Sequence, residues 1–584
     1  LAATLSIVAV FIPVAITPGI VGRFLFQFGV TVAIAVLFSL FVALTLTPML
    51  SARILALTTK HGRIYQVLDG FLNGIDSTYR RLLDYALSHR LVIVFTAVGA
   101  FAAAIVMARF IPMEFISSTD EGQFLVRLKA PIGSSIEYTD RYLRDAEQMV
   151  ARDSAVTGVF SSIGSGGTAG VNDAQMVVTL VDETERARTQ NDIMTQFRRE
   201  LNTIPGIVAY VERASGVSMG ARNAPIQLVV KGGDLAQLAQ TGQTIVDSLK
   251  KIPGLVDVDY DLQLEQPEVN VTVNRDVAAA LGVNALDVAQ TVNAMVGGLR
   301  ISNFKSEGHR YDVRVQAIAS QRATPSDIDQ LATRSTNGSI VSLANLVNVT
   351  EGTGVTTIPR LDQERATTIF ADLDPSLPLG TGLNEALAAV RHLLPPDMKV
   401  TVSGQSQSFQ ESFQNLFFAM GLSIVIIYIL LAVQFEHFLH PFTLMFALPL
   451  AVSGAFGLML ITGTRLGIIG MIGMILLMGL VMKNSILLID LTNKRRDAGL
   501  GIYEALKEAC PRRLRPILMT SAAIIFGAIP VATQIMAGSQ LRAPLAVVVI
   551  GGVFSSTLLT LLVVPVVYTY MDAVPGLLKR LIGR

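Results

Sequence analysis

A single lysine, Lys483, limits the folds open to this chain more than any other residue. It lies inside an apolar stretch, about residues 467–490, that is long enough to cross a bilayer, since a hydrocarbon core of ~30 Å needs about 20 apolar residues. A charge at that depth is costly, is usually paired, and usually marks an ion or substrate pathway. A lysine that snorkels to the interface is the alternative. It is disfavoured because about two helical turns separate Lys483 from Asp490.

The other apolar stretches offer Lys483 no carboxylate partner. Residues 1–68 contain neither Asp nor Glu. The remaining stretches without an acid lie near 91–113, 415–434, 442–462, 517–536 and 543–571. We therefore expect the partner on a segment outside this chain. Leu1 already lies in an apolar helical pattern, which fits a fragment of a longer protein.

Composition places the chain in a membrane. Of its 584 residues 51% are hydrophobic, and the mean hydropathy is +0.52, values that call for transmembrane helices. The net charge of +1 provides no basic face, so nucleic acid is excluded as a partner. The single cysteine, Cys510, excludes a disulfide framework or a multi-cysteine metal site. We expect no cofactor and no enzymatic activity, and without a glycine-rich phosphate loop ATP is not the expected energy source.

The apolar stretches predict an α-helical polytopic membrane domain of eight helices. Two helices lie in residues 1–50, one in 91–112 and five in 412–572. An amphipathic helix over 51–90 is expected along the cytoplasmic surface, with a cytoplasmic tail over 573–584. Basic residues in short loops favour the cytoplasmic side. The long segment from about 113 to 411 then lies on the opposite side, which in a Gram-negative cell is the periplasm. The helices would cross the inner membrane.

The periplasmic segment predicts an α+β domain of ferredoxin-like units. Residues 113–222 have the order β-α-β-β-α-β, the split β-α-β unit. A second unit is divided between 223–264 and 359–411. The interval 265–358 is an inserted subdomain.

Two motifs around Lys483 carry the candidate chemistry. The stretch 478–490 reads MGLVMKNSILLID, and the next span is preceded by RRLRPILMTS at 512–521. Arg513 and Thr520 are seven residues apart, so they share one helix face that could meet Lys483. Arg513 is equally well explained as a positive-inside anchor. Thr520 is also explained by a hydroxyl bonded to its own helix backbone.

These motifs, together with FIPVA at 11–15, GIVGR at 19–23, QFG at 27–29 and LTPML at 46–50, resemble those of the resistance-nodulation-cell division (RND) efflux pumps. The resemblance covers the whole chain and implies helices five to twelve of a twelve-helix pump. It further implies that aspartates on the fourth helix face Lys483, with Thr520, Arg513 and Asn484 completing a proton relay. Protonation of those carboxylates would alternate with their pairing to the lysine.

The resemblance also implies that the two ferredoxin-like units are porter units, which handle the substrate. It implies the substrate site and the partners as well. The glycine-rich stretch 164–170 matches a mobile loop beside the drug pocket, and Phe160 matches a pocket phenylalanine, with Ser162, Ile163 and Val177 as further lining residues. Ser165 and Val177 stand where aromatic residues are expected, so a different substrate range is implied. The implied assembly is a homotrimer with a periplasmic adaptor and an outer-membrane channel. Residues 265–358 would be the docking subdomain that meets this channel. The implied substrates are small molecules.

The preferred function is proton-motive-force-driven export of drugs or other hydrophobic or amphiphilic compounds. Heavy-metal export is the alternative, which Met176 and Met219 suggest, although scattered methionines usually fill cores. A non-transporting membrane scaffold or sensor is another. Asp257, Asp259 and Asp261 alternate along one strand, for which a solvated strand face is expected and attraction of cationic substrates is the alternative.

Overall fold

The structure is a computed structural model. It describes residues 2–54, 63–116, 119–164, 170–214, 222–262, 264, 266–355, 357–535 and 538–582. Its helices are α1 Ala2–Ala15, α2 Gly19–Leu44, α3 Leu46–Ile54, α4 Arg63–Ser88, α5 Arg90–Ala108, α6 Ile136–Ala151, α7 Gln190–Leu201, α8 Leu235–Leu249, α9 Arg275–Ala280, α10 Ala285–Val292, α11 Leu379–Leu393, α12 Gly404–Phe435, α13 Leu439–Met445, α14 Ala447–Thr462, α15 Ile468–Asp497, α16 Ile502–Ala532 and α17 Ala543–Ile582. Its strands are β1 Gln123–Lys129, β2 Val156–Ile163, β3 Asp173–Leu180, β4 Val208–Arg213, β5 Ile226–Lys231, β6 Leu255–Tyr260, β7 Gln266–Val273, β8 Leu299–Ser306, β9 His309–Val315, β10 Ala332–Arg334, β11 Ile340–Ser342, β12 Val347–Gly354, β13 Arg360–Leu361, β14 Glu364–Leu373 and β15 Lys399–Val402.

The membrane domain is built from long apolar helices at both ends of the chain. Within the described residues, seven helical segments are long and apolar enough to cross a membrane. They are Leu25–Ile54, Arg90–Ala108, Gly404–Phe435, Leu439–Thr462, Ile468–Asp497, Ile502–Ala532 and Ala543–Ala573. The remaining expected span corresponds to α1, whose 14 residues are fewer than the about 20 that a crossing needs.

Small residues let the membrane helices approach closely. Where α14 crosses α17, a Cβ added to Gly551 would lie 2.4 Å from the carbonyl oxygen of Gly454. Where α1 crosses α15, a Cβ on Gly479 would lie 3.4 Å from the Cα of Ile7. Glycine at such crossings replaces side-chain packing by backbone contact, which is typical of helix pairs in lipid.

Residues 55–62 of the stretch 51–90, predicted as an amphipathic helix along the cytoplasmic surface, lie outside the described part. Helix α4 fills most of the remainder. Its apolar side buries Leu83 and Ala86. Tyr79 donates a hydrogen bond of 2.9 Å to the carbonyl of Leu561 in α17. Because α4 is fixed to the helix bundle by a buried hydroxyl, it is an integral part of the membrane domain rather than a linker.

The first porter unit, residues 119–214 as described, contains the predicted β-α-β-β-α-β order. Its strands form an antiparallel sheet in the order β2-β3-β1-β4, with α6 and α7 on one face. The core between sheet and helices includes Phe124, Met176, Phe197 and Leu201, all at most 1% exposed. The other face of the sheet is free of these helices, so alternate residues of each strand point away from the core.

The second porter unit is discontinuous in sequence, as predicted. Strand β14 pairs with β5, β6 and β13, and β15 pairs with the other side of β5. Helices α8 and α11 cover the sheet through buried Leu238, Ile245 and Leu383. Between β6 and β13 the chain leaves through β7 and returns through β12, which pair from Gln266↔Gly354 to Val273↔Val347. The inserted unit has a separate core of Val283, Val288 and Leu343 with neighbours.

Each porter unit is attached to a different loop of the membrane domain. Before the first unit, Met113 forms a parallel bridge with Leu466 in the α14–α15 loop. From the same loop, Arg465 donates a hydrogen bond of 2.5 Å to the carbonyl of Pro375 in the second unit. The first unit contacts the α16–α17 loop instead, where Gln540 donates a hydrogen bond of 3.0 Å to Glu183.

Candidate functional site

Lys483 lies at the middle of α15, the most enclosed of the seven candidate spans. It is 15 residues from the helix start at Ile468, or about 22 Å along the axis. The side chain is half-buried, and its neighbours Met482 and Asn484 are buried. Within the part of the chain that the structure describes, Lys483 makes no hydrogen bond and no ion pair. A charged group is therefore held at membrane depth without a partner from these helices.

Other polar atoms on α15 and on the next helix, α16, are also buried without partners among the described residues. The Ser485 hydroxyl on α15 and the Nε of Arg513 on α16 make no hydrogen bond to a described residue. Asn484 is 7% exposed. Buried polar atoms normally find partners, so these unsatisfied groups distinguish α15 and α16 from the other described helices of the membrane domain.

The structure does not bond the four predicted relay residues to one another. Helices α15 and α16 pack together, but the Thr520 hydroxyl donates to the carbonyl of Ile517 in its own helix, at 3.1 Å. The next residue, Ser521, instead links α16 to α17, because its hydroxyl accepts a hydrogen bond of 2.8 Å from Thr557. Among described residues no hydrogen bond or ion pair joins Lys483, Asn484, Thr520 and Arg513, so their common role stays a prediction.

Three of the four predicted substrate residues share the open face of the first porter sheet. Phe160 on β2 is directly opposite Val177 on β3, and Ser162 is two residues further along the same face. Phe160 is 69% exposed. Ile163 points the other way and packs against the core of the unit. Ser165 lies outside the described residues, as does most of the glycine-rich stretch.

The prediction of a solvated face is wrong for Asp257 and Asp259, whose side chains are enclosed, whereas Asp261 is exposed. Asp261 accepts hydrogen bonds from the hydroxyl of Thr367 at 3.0 Å and the amide of Thr368 at 2.8 Å, inside the second unit. Asp257 and Asp259 instead contact the first unit. Asp257 has a left-handed backbone, φ 55°, so the regular alternation of the strand is broken there.

Asp257 binds to β4, the edge strand of the first sheet. Its Oδ2 accepts hydrogen bonds from the Nε of Arg198, at 2.8 Å, and from the amide of Val211 on edge strand β4, at 3.2 Å. Arg198 also donates to the carbonyl of Val211, at 2.6 Å. Burial raises the pKa of Asp257, and the charge of Arg198 offsets this only in part. The two units are therefore joined by a buried ion pair that also uses backbone groups of β4.

Asp259 forms the second charged contact between the units. It accepts a hydrogen bond of 2.7 Å from Lys129 at the end of β1, and Arg222 lies 3.8 Å away. Burial alone would raise the pKa of Asp259, but Lys129, the amide of Tyr260 and Arg222 together outweigh it, and the pKa is lowered. Arg222 donates to Glu212 at 2.9 Å and lies over the rings of Tyr210 and Phe370. We call the charged groups at this boundary the interface cluster: Lys129, Arg198, Glu212, Arg222, Asp257, Asp259 and Asp372.

A cavity of about 700 Å³ opens beside the interface cluster. The first unit lines it with Lys129, Asn202 and Tyr210, and the second with Lys250 and Asp259. Its volume suits a small organic molecule. Phe160, Ser162, Ile163 and Val177 are not among its lining residues, so the predicted substrate residues and this cavity are separate features of the porter domain.

The sequence indicated the acidic residues beside this cavity but not the cations that pair with them. The alternation of Asp257, Asp259 and Asp261 was visible, but their partners are distant in the chain: Lys129 is 130 residues from Asp259. Lys129 and Arg198 resemble any other surface cation in the sequence. A pairing that depends on how two units dock has no local pattern.

The helix bundle, the two α+β units and the lysine within the most enclosed of the described spans define the class of the molecule: a polytopic membrane protein with a large α+β domain. Over residues 1–572 the chain matches the AcrB/AcrD/AcrF family. It belongs to this family, that of the RND transporters.

Two solved structures, both crystal forms of a heavy metal efflux pump, are similar to this chain. Each is 25% identical in sequence, with TM-scores of 0.85 and 0.84, and each alignment covers 98% of this chain. The alignments cover 58% and 57% of those pumps, so this chain spans less than two thirds of their length.

Proposed function

We propose that this chain is part of the inner-membrane subunit of an exporter that uses the proton-motive force to expel hydrophobic or amphiphilic compounds. The observation that carries the proposal is Lys483, half-buried at the middle of α15 without a partner among the described residues. An ammonium group at that depth needs a carboxylate partner. Protonation of such a carboxylate weakens the pair, which links proton binding to movement of α15.

The neighbouring polar groups support a relay around this lysine. Asn484, Thr520 and Arg513 lie on α15 and α16, which pack together. Among the described residues, the Thr520 hydroxyl is bonded only to its own helix, and the Nε of Arg513 makes no hydrogen bond. Both side chains therefore have bonding capacity left for a group that changes its protonation state.

The porter sheet supports organic substrates. The open face carries Phe160 beside Val177, and Leu125 of β1 continues the same row. An exposed phenylalanine next to aliphatic side chains favours apolar or amphiphilic molecules. We propose that substrates contact this row and the 700 Å³ cavity on their way through the porter domain.

Heavy-metal export is the second candidate, and the two similar crystal structures favour it because both are of a heavy metal efflux pump. The methionine that suggested this function at the sequence level gives it little support, since Met176 is 0% exposed in the core of the first unit. Met219 lies outside the described residues.

The assembly follows the family pattern in our proposal. The transporter would be a homotrimer in the Gram-negative inner membrane, joined to a periplasmic adaptor and an outer-membrane channel. The inserted unit between β7 and β12, with its own core, would be the docking surface. The two porter units and this insertion would then form a path from the membrane domain to the channel.

The proposal is tested with Lys483→Ala in the full-length transporter, expressed in a host that lacks its own pumps. Dye efflux, tolerance to amphiphilic drugs and tolerance to copper, silver and zinc salts are measured, with membrane level and trimer formation as assembly controls. Lys494→Ala is the matched control, because Lys494 is exposed at the end of α15 and pairs with Asp490.

We expect Lys483→Ala to abolish efflux while assembly is normal and Lys494→Ala to leave efflux intact. Unchanged efflux in Lys483→Ala would refute the proton relay, and loss of assembly would make Lys483 a structural residue. Protection by the unmodified transporter against metal salts alone would select metal export. Protection against neither class would favour the scaffold or sensor function.

A further inference from the structure

The interface cluster contains one more carboxylate than cations. Its acids are Glu212, Asp257, Asp259 and Asp372, and its cations are Lys129, Arg198 and Arg222. Arg127 and Asp173, at the margin of the cluster, lie 4.0 Å apart and balance each other. Burial of an unbalanced charge is expensive, and the usual response is that a proton neutralises it.

Asp372 on β14 is the carboxylate left without a full partner. It is 6% exposed, and its Oδ2 lies 3.6 Å from the Nη2 of Arg198, beyond hydrogen-bond distance. Arg198 is already engaged by Asp257 and by the carbonyl of Val211. Among the described residues, the Oδ1 of Asp372 accepts a hydrogen bond only from the amide of Leu373, at 2.7 Å.

The charged groups around Asp372 come from three sides. Arg198 approaches from α7, Asp257 from β6 and Glu212 from β4, while Asp374, further along the chain, also faces Arg198. Burial raises the pKa of Asp372 to about 7, against the opposing charge of Arg198 and with the support of Asp257. Asp374 is solvated and bonded to Ser376, which lowers its pKa.

The construction of the interface allows the units to separate. The first porter unit has its own apolar core. The second unit packs around a different core, and at the interface cluster charged side chains join the two beside a 700 Å³ cavity. Interfaces of this polar kind permit relative motion of the parts they join.

We propose that closure of the two porter units over the interface cluster is coupled to the uptake of one proton by the Asp257–Asp372 pair, so that acidification favours the closed arrangement. In an open arrangement water reaches Asp372, whose pKa returns to about 3.9. The closed arrangement then binds the proton more tightly than the open one. By linkage, lowering the pH from about 7.5 to about 5.5 shifts the equilibrium toward closure by on the order of tenfold.

The test measures the distance between the units in the full-length transporter in lipid nanodiscs. Spin labels are attached through Gln148→Cys on α6 and Gln243→Cys on α8, both exposed positions, in a background without other reactive cysteines. Distances are recorded at pH 7.5 and pH 5.5 by double electron–electron resonance. This readout does not depend on transport, so it separates failure of this proposal from failure of the proposed function.

Asp372→Asn should keep the units closed at both pH values, because the amide replaces the protonated carboxyl and leaves the cluster balanced. Asp257→Asn should also remove the pH dependence, which provides a second variant in case the first does not fold. Asp374→Asn is the matched control and should behave like the unmodified protein. A distance distribution that is the same at both pH values, that opens in acid, or that still shifts in both Asp257→Asn and Asp372→Asn would overturn the proposal.

Discussion

Gly551→Ala should separate helices α14 and α17, the pair that crosses at Gly454. A Cβ at Gly551 would lie 2.4 Å from the carbonyl oxygen of Gly454 and 2.7 Å from the Cβ of Leu458, whereas ordinary contact begins at 3.4 Å. The shortfall against the carbonyl is 3.4 − 2.4 = 1.0 Å. Neither atom is the end of a flexible side chain, so the helices themselves must move.

The magnitude follows from two opposing effects. Alanine is favoured over glycine within a helix by about 1 kcal/mol. Overpacking of a tight contact costs about 1–3 kcal/mol, and the lost backbone contact between Gly454 and Gly551 adds to it. We expect net destabilisation of about 1–2 kcal/mol at this crossing.

The matched control is Gly421→Ala on α12, where an added Cβ meets nothing within 4 Å. Full-length protein in detergent is heated, and the remaining monodisperse fraction is followed by size-exclusion chromatography with fluorescence detection. Gly551→Ala should lower the midpoint temperature, and Gly421→Ala should leave it unchanged or raise it. If Gly551→Ala is as stable as Gly421→Ala, the crossing is not held by backbone contact and the reasoning fails.

Two further predictions concern the first porter unit. Phe197→Ala should destabilise the unit by about 3–5 kcal/mol, because Phe197 is 1% exposed and packs near Phe124. Hydrogen–deuterium exchange of β1 and β3 measures the loss of stability. The control, Phe197→Leu, should cost less. Ser135→Ala should cost about 1 kcal/mol, because the Ser135 hydroxyl accepts the amide of Tyr138 at the start of α6. Faster exchange at the first turn of α6 checks it. Ser134→Ala, which removes no capping contact of α6, should exchange as the unmodified protein does, and equal rates in both variants would contradict the cap.

Local patterns predicted the elements of the fold well. Apolar stretches of about 20 residues identify α5, α12 and α15 because a bilayer demands that length. Alternating and helical periods identify the split β-α-β order of β1 to β4. The return of the second unit at β14 was also predicted, because the strand pattern resumes there after the insertion.

The predicted sites depended on contacts between distant segments and were less complete. Lys483 was identified because its charge conflicts with its apolar surroundings, which is a local signal. Ile163 was assigned to the substrate face, but the pleat turns it toward the core beside Ala174. Asp257 and Asp259 were expected in solvent because nothing near them in sequence indicates that Arg198 and Lys129 reach them.

The paired strands β7 and β12 have a consequence for the evolution of the porter domain. Gln266 and Gly354 are direct partners, so the two ends of the inserted unit lie side by side, and the unit keeps its own core. Such an insertion is interchangeable: a longer, shorter or unrelated module could be exchanged at this stem while the sheet of β5, β6 and β14 keeps its register. Family members could in this way acquire new outer surfaces without redesigning the part of the molecule that carries the interface cluster.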